Sequence, residues 1–221
     1  MSAIEFQLDG IYDQRTLKLL QQVEIRHLSF DFRPTSFNFF QLHRCLDLLK
    51  SNFSFRDHYY FHFANEADFV IKKILDDVSL LALPSHLHSW NLIFSDAQPG
   101  TFYDQFECPY YLYYRTEFDA AFLRGLHHLQ GLILPFFLLE DLHRKNQLID
   151  FLKRIMSITA GRNITLVLSA DWDANFFPSL FEYFDFERII ISIDKRVEVC
   201  YRNVDLNLLQ KNITILKAML K

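Results

Sequence analysis

Apolar and polar positions along the chain follow two alternating periods. Short runs rich in β-branched and aromatic residues occur at residues 4–9, 27–32, 58–64, 90–95, 109–115, 131–136, 163–169 and 188–194. Between them, apolar residues recur every three or four positions, from Thr16 to Val23, Phe39 to Leu49, Ala67 to Val78, Asp119 to His128, Glu140 to Ile158 and Asp205 to Leu220. The first pattern predicts strands and the second amphipathic helices, so the chain reads as repeated βα units around a parallel sheet. Strands this continuously apolar need burial on both faces. The segment from Asp96 to Cys108 carries Pro99 and Gly100 and predicts only a short helix. The last helix begins at Asn203 or Asp205, either of which can serve as its N-cap. No linker or composition break divides the 221 residues, a length usual for a one-domain α/β barrel. The expectation is an α/β chain forming a single (β/α)8 TIM barrel over residues 1–221, with a doubly wound open sheet as the structural rival.

Composition removes several function classes. Half of the residues are hydrophobic, but no run approaches the roughly 18 to 20 apolar residues of a membrane span. The N-terminal residues do not resemble a signal peptide, and the expectation is a soluble, cytoplasmic protein. Cys45, Cys108 and Cys200 are odd in number and widely spaced, as suits reduced thiols that are buried or inert. A net charge of −4 without long blocks of one sign gives no footprint for nucleic acid or anionic lipid. Aromatic residues make up 16% of the chain, whereas glycine occurs only five times, against roughly fifteen at average usage.

Particular segments narrow the fold further. Phe30-Asp31-Phe32-Arg33-Pro34-Thr35-Ser36 looks like F-V-F-x-P-x-S, and Phe61-His62-Phe63-Ala64-Asn65 like G-V-F-V-N. Asp96-Ala97-Gln98-Pro99 stands in the loop after Q-L-H-G, Leu166-Val167-Leu168-Ser169 at L-V-L-S/A-G-G-L, and Val197-Glu198 with Asp205 at S-S-G-V-E and a downstream K-D. In order and spacing, over nearly the whole chain, these resemble the phosphoribosylanthranilate isomerase family of tryptophan biosynthesis. The resemblance implies a barrel whose site lies at the C-terminal mouth, where the βα loops meet. It also implies cofactor-free chemistry: a base moves a proton at the sugar C2, an acid protonates the ring oxygen, and a cradle holds the phosphate.

The implied site residues are mostly replaced. The family's basic Cys, in K-I-C-G, aligns with Asp9, which can act as a base or simply cap the turn at Gly10. Its acidic Asp, in L-L-D, aligns with Pro135 and Phe136, and the nearby Glu140 and Asp141 read as helix-start residues. Glycines that would let backbone N–H groups approach a phosphate give way to Ser169-Ala170-Asp171-Trp172 and Asp194-Lys195-Arg196. Lys195 and Arg196 can supply side-chain charge to an anion instead, or simply pair with Asp194 or Glu198. Asn38 replaces the Arg expected to hold the anthranilate carboxylate, and Arg33 lies close enough to substitute.

Other chemistry finds little support. His86 with His88, and His58 with His62, lack a Cys or carboxylate at ligand spacing, and the latter pair sits about 13 Å apart on a strand. His127-His128 reads as a helix end. The run Tyr110 to Tyr114 lacks the basic residues of a base-stacking surface and reads as a packed strand. Nucleophile elbows, P-loops and dinucleotide fingerprints do not occur. The leading expectation is a barrel without the isomerase activity, acting as a binding or interaction protein. Its partners would be a small anionic or phosphorylated ligand at the mouth, another protein or a second copy of itself. The alternative is an active sugar-phosphate isomerase with Asp9 as base, Asp171 or Asp194 as acid, and Arg33, Lys195 and Arg196 on the anion.

Overall fold

The computed structural model describes residues 4–81 and 90–219. Eight parallel strands close into one barrel, each hydrogen-bonded to the next and the eighth to the first. They are β1 (Glu5–Asp9), β2 (His27–Asp31), β3 (His58–Phe63), β4 (Trp90–Phe94), β5 (Tyr110–Tyr113), β6 (Leu129–Pro135), β7 (Thr165–Ala170) and β8 (Phe186–Ser192). All eight match the predicted strands, although β6 and β8 each begin two residues early. Between them run α1 (Gln14–Gln22), α2 (Leu42–Asn52), α3 (Asp68–Ser79), the short α4 (Gly100–Tyr103) and α5 (Ala120–Gly125). After β6 come α6 (Phe136–Arg144) and α7 (Leu148–Thr159), then α8 (Ser179–Tyr183) after β7 and α9 (Leu206–Met219) after β8. The (β/α)8 barrel is therefore the fold. None of the described helices is long and apolar enough to cross a membrane.

Several local expectations need correction. The helix read from Glu140 to Ile158 is two helices, because Asn146 adopts φ +55° and the left-handed residue stops the first of them. Glu140 and Asp141 consequently lie within α6, where they pair one turn on with Arg144 and Lys145. His127 and His128 follow the end of α5 rather than closing a helix, and Cys200 is exposed, unlike buried Cys45. The hairpin of β9 (Glu198–Cys200) and β10 (Asn203–Val204) had no separate signal, and it contains Asn203. Asp205 is the residue that caps α9, accepting hydrogen bonds from the N–H groups of Asn207 and Leu208. His86 and His88 lie outside the described residues.

The barrel has an apolar shell and a mixed interior. Leu8, Phe30, Phe61, Leu92 and Leu132 face the helices and join one large buried cluster. The alternate positions face the barrel axis. On β3 to β8 these include Tyr60, Ile93, Tyr111, Ile133, Val167 and Ile190, which form a separate apolar cluster. Gly131 does not take a positive φ, but an added Cβ would sit 2.6 Å from Thr165 Oγ1 and 2.7 Å from the Tyr111 ring, so glycine leaves room for those side chains. On β1 and β2 the axial positions are polar instead: Gln7, Asp9, His27, Ser29 and Asp31, all buried.

The lower end of this polar wedge is closed by a fitted set of side chains. Arg188, only 2% exposed, stacks on Tyr60 and Tyr111 at 5.1 and 4.7 Å and pairs with Glu187 at 2.7 Å. His27 Nε2 lies 2.5 Å from Glu5, its Nδ1 lies 2.8 Å from the Tyr60 hydroxyl, and its ring stacks on His58. These contacts fit a neutral imidazole that donates to Glu5 and accepts from Tyr60. Burial, reinforced by the charge of Arg188 and by the neighbouring His58, pushes His27 down to about 2. The unfolded chain then binds a proton that the folded floor refuses, so stability should fall as pH drops below about 6.5. Urea unfolding between about pH 7 and 5 should show a loss approaching 1.4 kcal/mol per pH unit from this group. His27→Gln should flatten that limb; an unchanged slope would refute the assignment.

Candidate ligand site at the barrel mouth

The upper end of the same wedge forms the mouth. The C-terminal ends of β1, β2 and β3 bring Asp9, Asp31 and His62 together, all buried. Gly10 turns the chain immediately after β1 with φ +82°, and its N–H and that of Ile11 both donate to the Ser29 carbonyl at 3.0 Å. An added Cβ at Gly10 would lie 2.3 Å from Asn38 Nδ2. Glycine therefore lets Asn38 cross beneath and donate to the Ile193 carbonyl, tying the β2 loop to the β8 loop.

Arg33 organises the carboxylates. Its Nε and Nη2 donate to the two oxygens of Asp31 at 2.8 and 2.6 Å, and Nη2 lies 3.9 Å from Asp9. Ser36 also donates to Asp31. Asp9 accepts from Ser29 at 2.5 Å, while Ser192 Oγ and His62 Nδ1 each lie 3.4 Å away. Burial alone would raise the Asp9 carboxyl, but His62, Arg33 and Ser29 outweigh it and hold it well below the usual carboxylate range. His62 stacks on Tyr113, whose hydroxyl is pushed up to about 12 by burial and the nearby Asp9 charge. Asp9 does not simply cap the turn beside Gly10. Its neighbours favour the ionised carboxylate.

Asp9, Asp31 and His62 also offer donor atoms within 4.8 Å of one another, close enough to share a metal ion. The fit is poor, because Arg33 already binds both Asp31 oxygens and places a positive charge beside the set. The arrangement suits a guanidinium group.

Two chambers open above this centre and share Ser192 as a wall. The first, about 330 Å3, brings together Asp9, Arg33, Asp194 and Lys195 with Asp31, Ser36 and Asn38. The second, about 530 Å3, contains Asp171. Arg196 lines neither chamber. It donates to Asp194 at 2.8 Å and Asp171 at 2.9 Å and also binds Asp173. Three carboxylates thus hold the guanidinium assigned to an anion, which supports its reading as a pairing residue. Lys195 is exposed and has no ion-pair partner among the described residues. After β6 the chain passes from Pro135 directly into α6, and the Trp172 indole donates to the Ser192 carbonyl at 2.8 Å. Sequence reasoning missed Ser29, Asp31, His62, Tyr113 and Ser192 as parts of the mouth. Period-two alternation carried the signal for the first two, placing Ser29 and Asp31 on the face of β2 that Asp9 meets from β1.

Comparison with known proteins supports the architecture. No protein-family model matches the sequence, and no curated protein matches it by sequence. Solved structures do match. Phosphoribosylanthranilate isomerase from Thermus thermophilus is similar at a TM-score of 0.66 and 11% identity, covering 98% of this chain and 100% of that one. The enzyme from Thermotoga maritima gives 0.63 and 11%, covering 97% and 99%. A HpcH/HpaI aldolase/citrate lyase family protein from Burkholderia cenocepacia J2315 gives 0.59 and 10%, covering 98% and 94%. Such identities establish the fold, a barrel like that of the isomerases, and barrels of different chemistry share it.

The Arg33 pairing yields a stability test. Arg33→Met should leave two buried carboxylates without their cation and lower the unfolding free energy by about 3 kcal/mol at neutral pH. Because the folded carboxyl of Asp9 is held down, its contribution in the native sequence is full above pH about 4 and is lost as pH falls below it. In the variant the folded carboxyl of Asp9 lies higher, so this acid-dependent loss should be smaller. Urea unfolding across this range measures both effects, and a cost below about 1 kcal/mol would place the pair among weak surface bridges.

Proposed function

We infer that this chain is a divergent relative of the phosphoribosylanthranilate isomerases that no longer carries out the isomerisation and serves as a binding or interaction protein. The observation that carries this reading is the state of Asp9. The position aligned with the family's base holds a carboxylate engaged by Ser29, His62 and Ser192, with Arg33 beside it. A base bound this tightly has little driving force to take a proton from carbon.

Two further features support it. The aligned acid position holds Pro135, followed by Phe136, and neither offers a proton. Asp171, Asp173 and Asp194 surround the turns after β7 and β8, where the family's phosphate cradle would lie, and they outnumber the Arg196 charge they hold. A phosphate dianion there meets repulsion. The competing isomerase reading assigns the acid to Asp171 or Asp194, yet both accept hydrogen bonds from Arg196, an arrangement for gripping a cation.

Purified protein incubated with phosphoribosylanthranilate is expected to leave the substrate unconsumed. The gene is expected not to restore growth to a tryptophan auxotroph lacking the isomerase. Rescue at an ordinary growth rate would overturn the reading.

A further inference from the structure

The second chamber differs from the first in both charge and walls. Its lining includes Glu140, Asp171 and Asp173 but no Lys or Arg. Three aromatic residues complete it: Tyr113 at the end of β5, and Phe136 and Phe137 at the start of α6. Phe137 is 75% exposed, unusual for so large an apolar group, and it stands one helical turn from Glu140 on the same face. A volume of about 530 Å3 is ample for a small organic molecule.

The charges and their spacing decide the ligand class. Arg144 pairs with Glu140 at 2.8 Å, and Arg196 binds one oxygen each of Asp171 and Asp173. Among the described residues, the other oxygen of Asp171 and of Asp173 receives no hydrogen bond. The chamber therefore keeps negative potential that an anion would oppose. Nor do these carboxylates converge as metal ligands do. Among the described residues, the donor atoms close enough to share an ion are those of Asp9, Asp31 and His62, and Asp9 and Asp31 line the other chamber. A cation that bridges separated carboxylates and also lies on ring faces must be large and weakly hydrated, which describes organic ammonium compounds.

We propose that this chamber binds a small organic cation whose ammonium group lies among Glu140, Asp171 and Asp173, with its apolar body against Tyr113, Phe136 and Phe137. The proposal deepens the binding reading above and depends on it. Specificity arises from the pairing of two demands: the carboxylates reject carboxylate and phosphate ligands, and the aromatic walls favour organic cations over hydrated metal ions.

Isothermal titration of the full chain at low salt tests this, with benzyltrimethylammonium chloride as probe and sodium benzoate and sodium phosphate as anionic counterparts. The ammonium should bind with a dissociation constant of about 1 mM or tighter, and the anions should give no binding heat at about ten times that concentration. Phe137→Ala, at an exposed position of α6, and Glu140→Gln, which loses only a partly exposed pair with Arg144, should each weaken binding roughly three- to tenfold with little change in the unfolding midpoint. Added salt should weaken it further. The site is refuted if the ammonium does not bind up to about 10 mM, if benzoate binds equally well, or if neither variant changes affinity. Turnover of phosphoribosylanthranilate would instead overturn the binding reading, so the two failures are distinguishable.

Discussion

The upper half of the barrel depends on one cation, the guanidinium of Arg33. Two strand-end carboxylates, Asp9 and Asp31, are buried side by side, and without a positive charge between them their desolvation and mutual repulsion would be severe. Arg33 grips both oxygens of Asp31 in the planar geometry that only arginine provides, and its edge reaches toward Asp9. Fixing Asp31 also fixes Ser36, and the same loop carries Asn38 to the Ile193 carbonyl. A single ion pair thereby sets the distance between the β2 and β8 loops, and with it the shape of the first chamber.

The polar wedge explains why such a centre survives in a barrel interior. Along β1 and β2 every axial position from the floor to the mouth is polar, and the apolar fill comes from β3 to β8. Each buried polar group on this side needs a partner within the barrel, and most have one: His27 has Glu5 and Tyr60, and Ser29 has Asp9. The Gln7 side chain, between these two networks, makes no hydrogen bond among the described residues. The barrel therefore carries two well-formed polar ends joined through a poorly satisfied middle, which sets the floor and the mouth apart as separate units.

Much of this architecture was legible in the sequence, but the chemistry was less so. Eight strands could be read because their apolar runs must be buried on both faces, a demand seen in β4, where all five residues are buried, and in the isoleucine run 189–191 of β8. The break at Asn146 was hidden because the apolar period continues through it on both sides; only the backbone angle interrupts the helix. Asp9 was recognisable as a candidate, whereas its partners were not. Ser29, His62 and Ser192 come from three different strands, and residue spacing along one chain does not reveal which strand ends meet. Arg196 shows the opposite limit: its positive charge was evident, but three aspartates from two loops had already claimed it.

On the reading proposed above, Asp9 keeps its place in the fold while changing its work. Serving as a base at carbon requires a carboxylate exposed to substrate, poorly solvated by the protein and reactive enough to accept a proton. Serving as an anchor favours the reverse: low exposure, several donors and a strongly favoured charge. The contacts of Asp9 meet the second set of conditions, and every one of them that stabilises the barrel lowers its reactivity. At the turns after β7 and β8, Asp171, Asp173 and Asp194 place fixed negative charge around Arg196. Stability and proton transfer place opposite demands on such strand-end carboxylates, and the contacts of Asp9 serve stability.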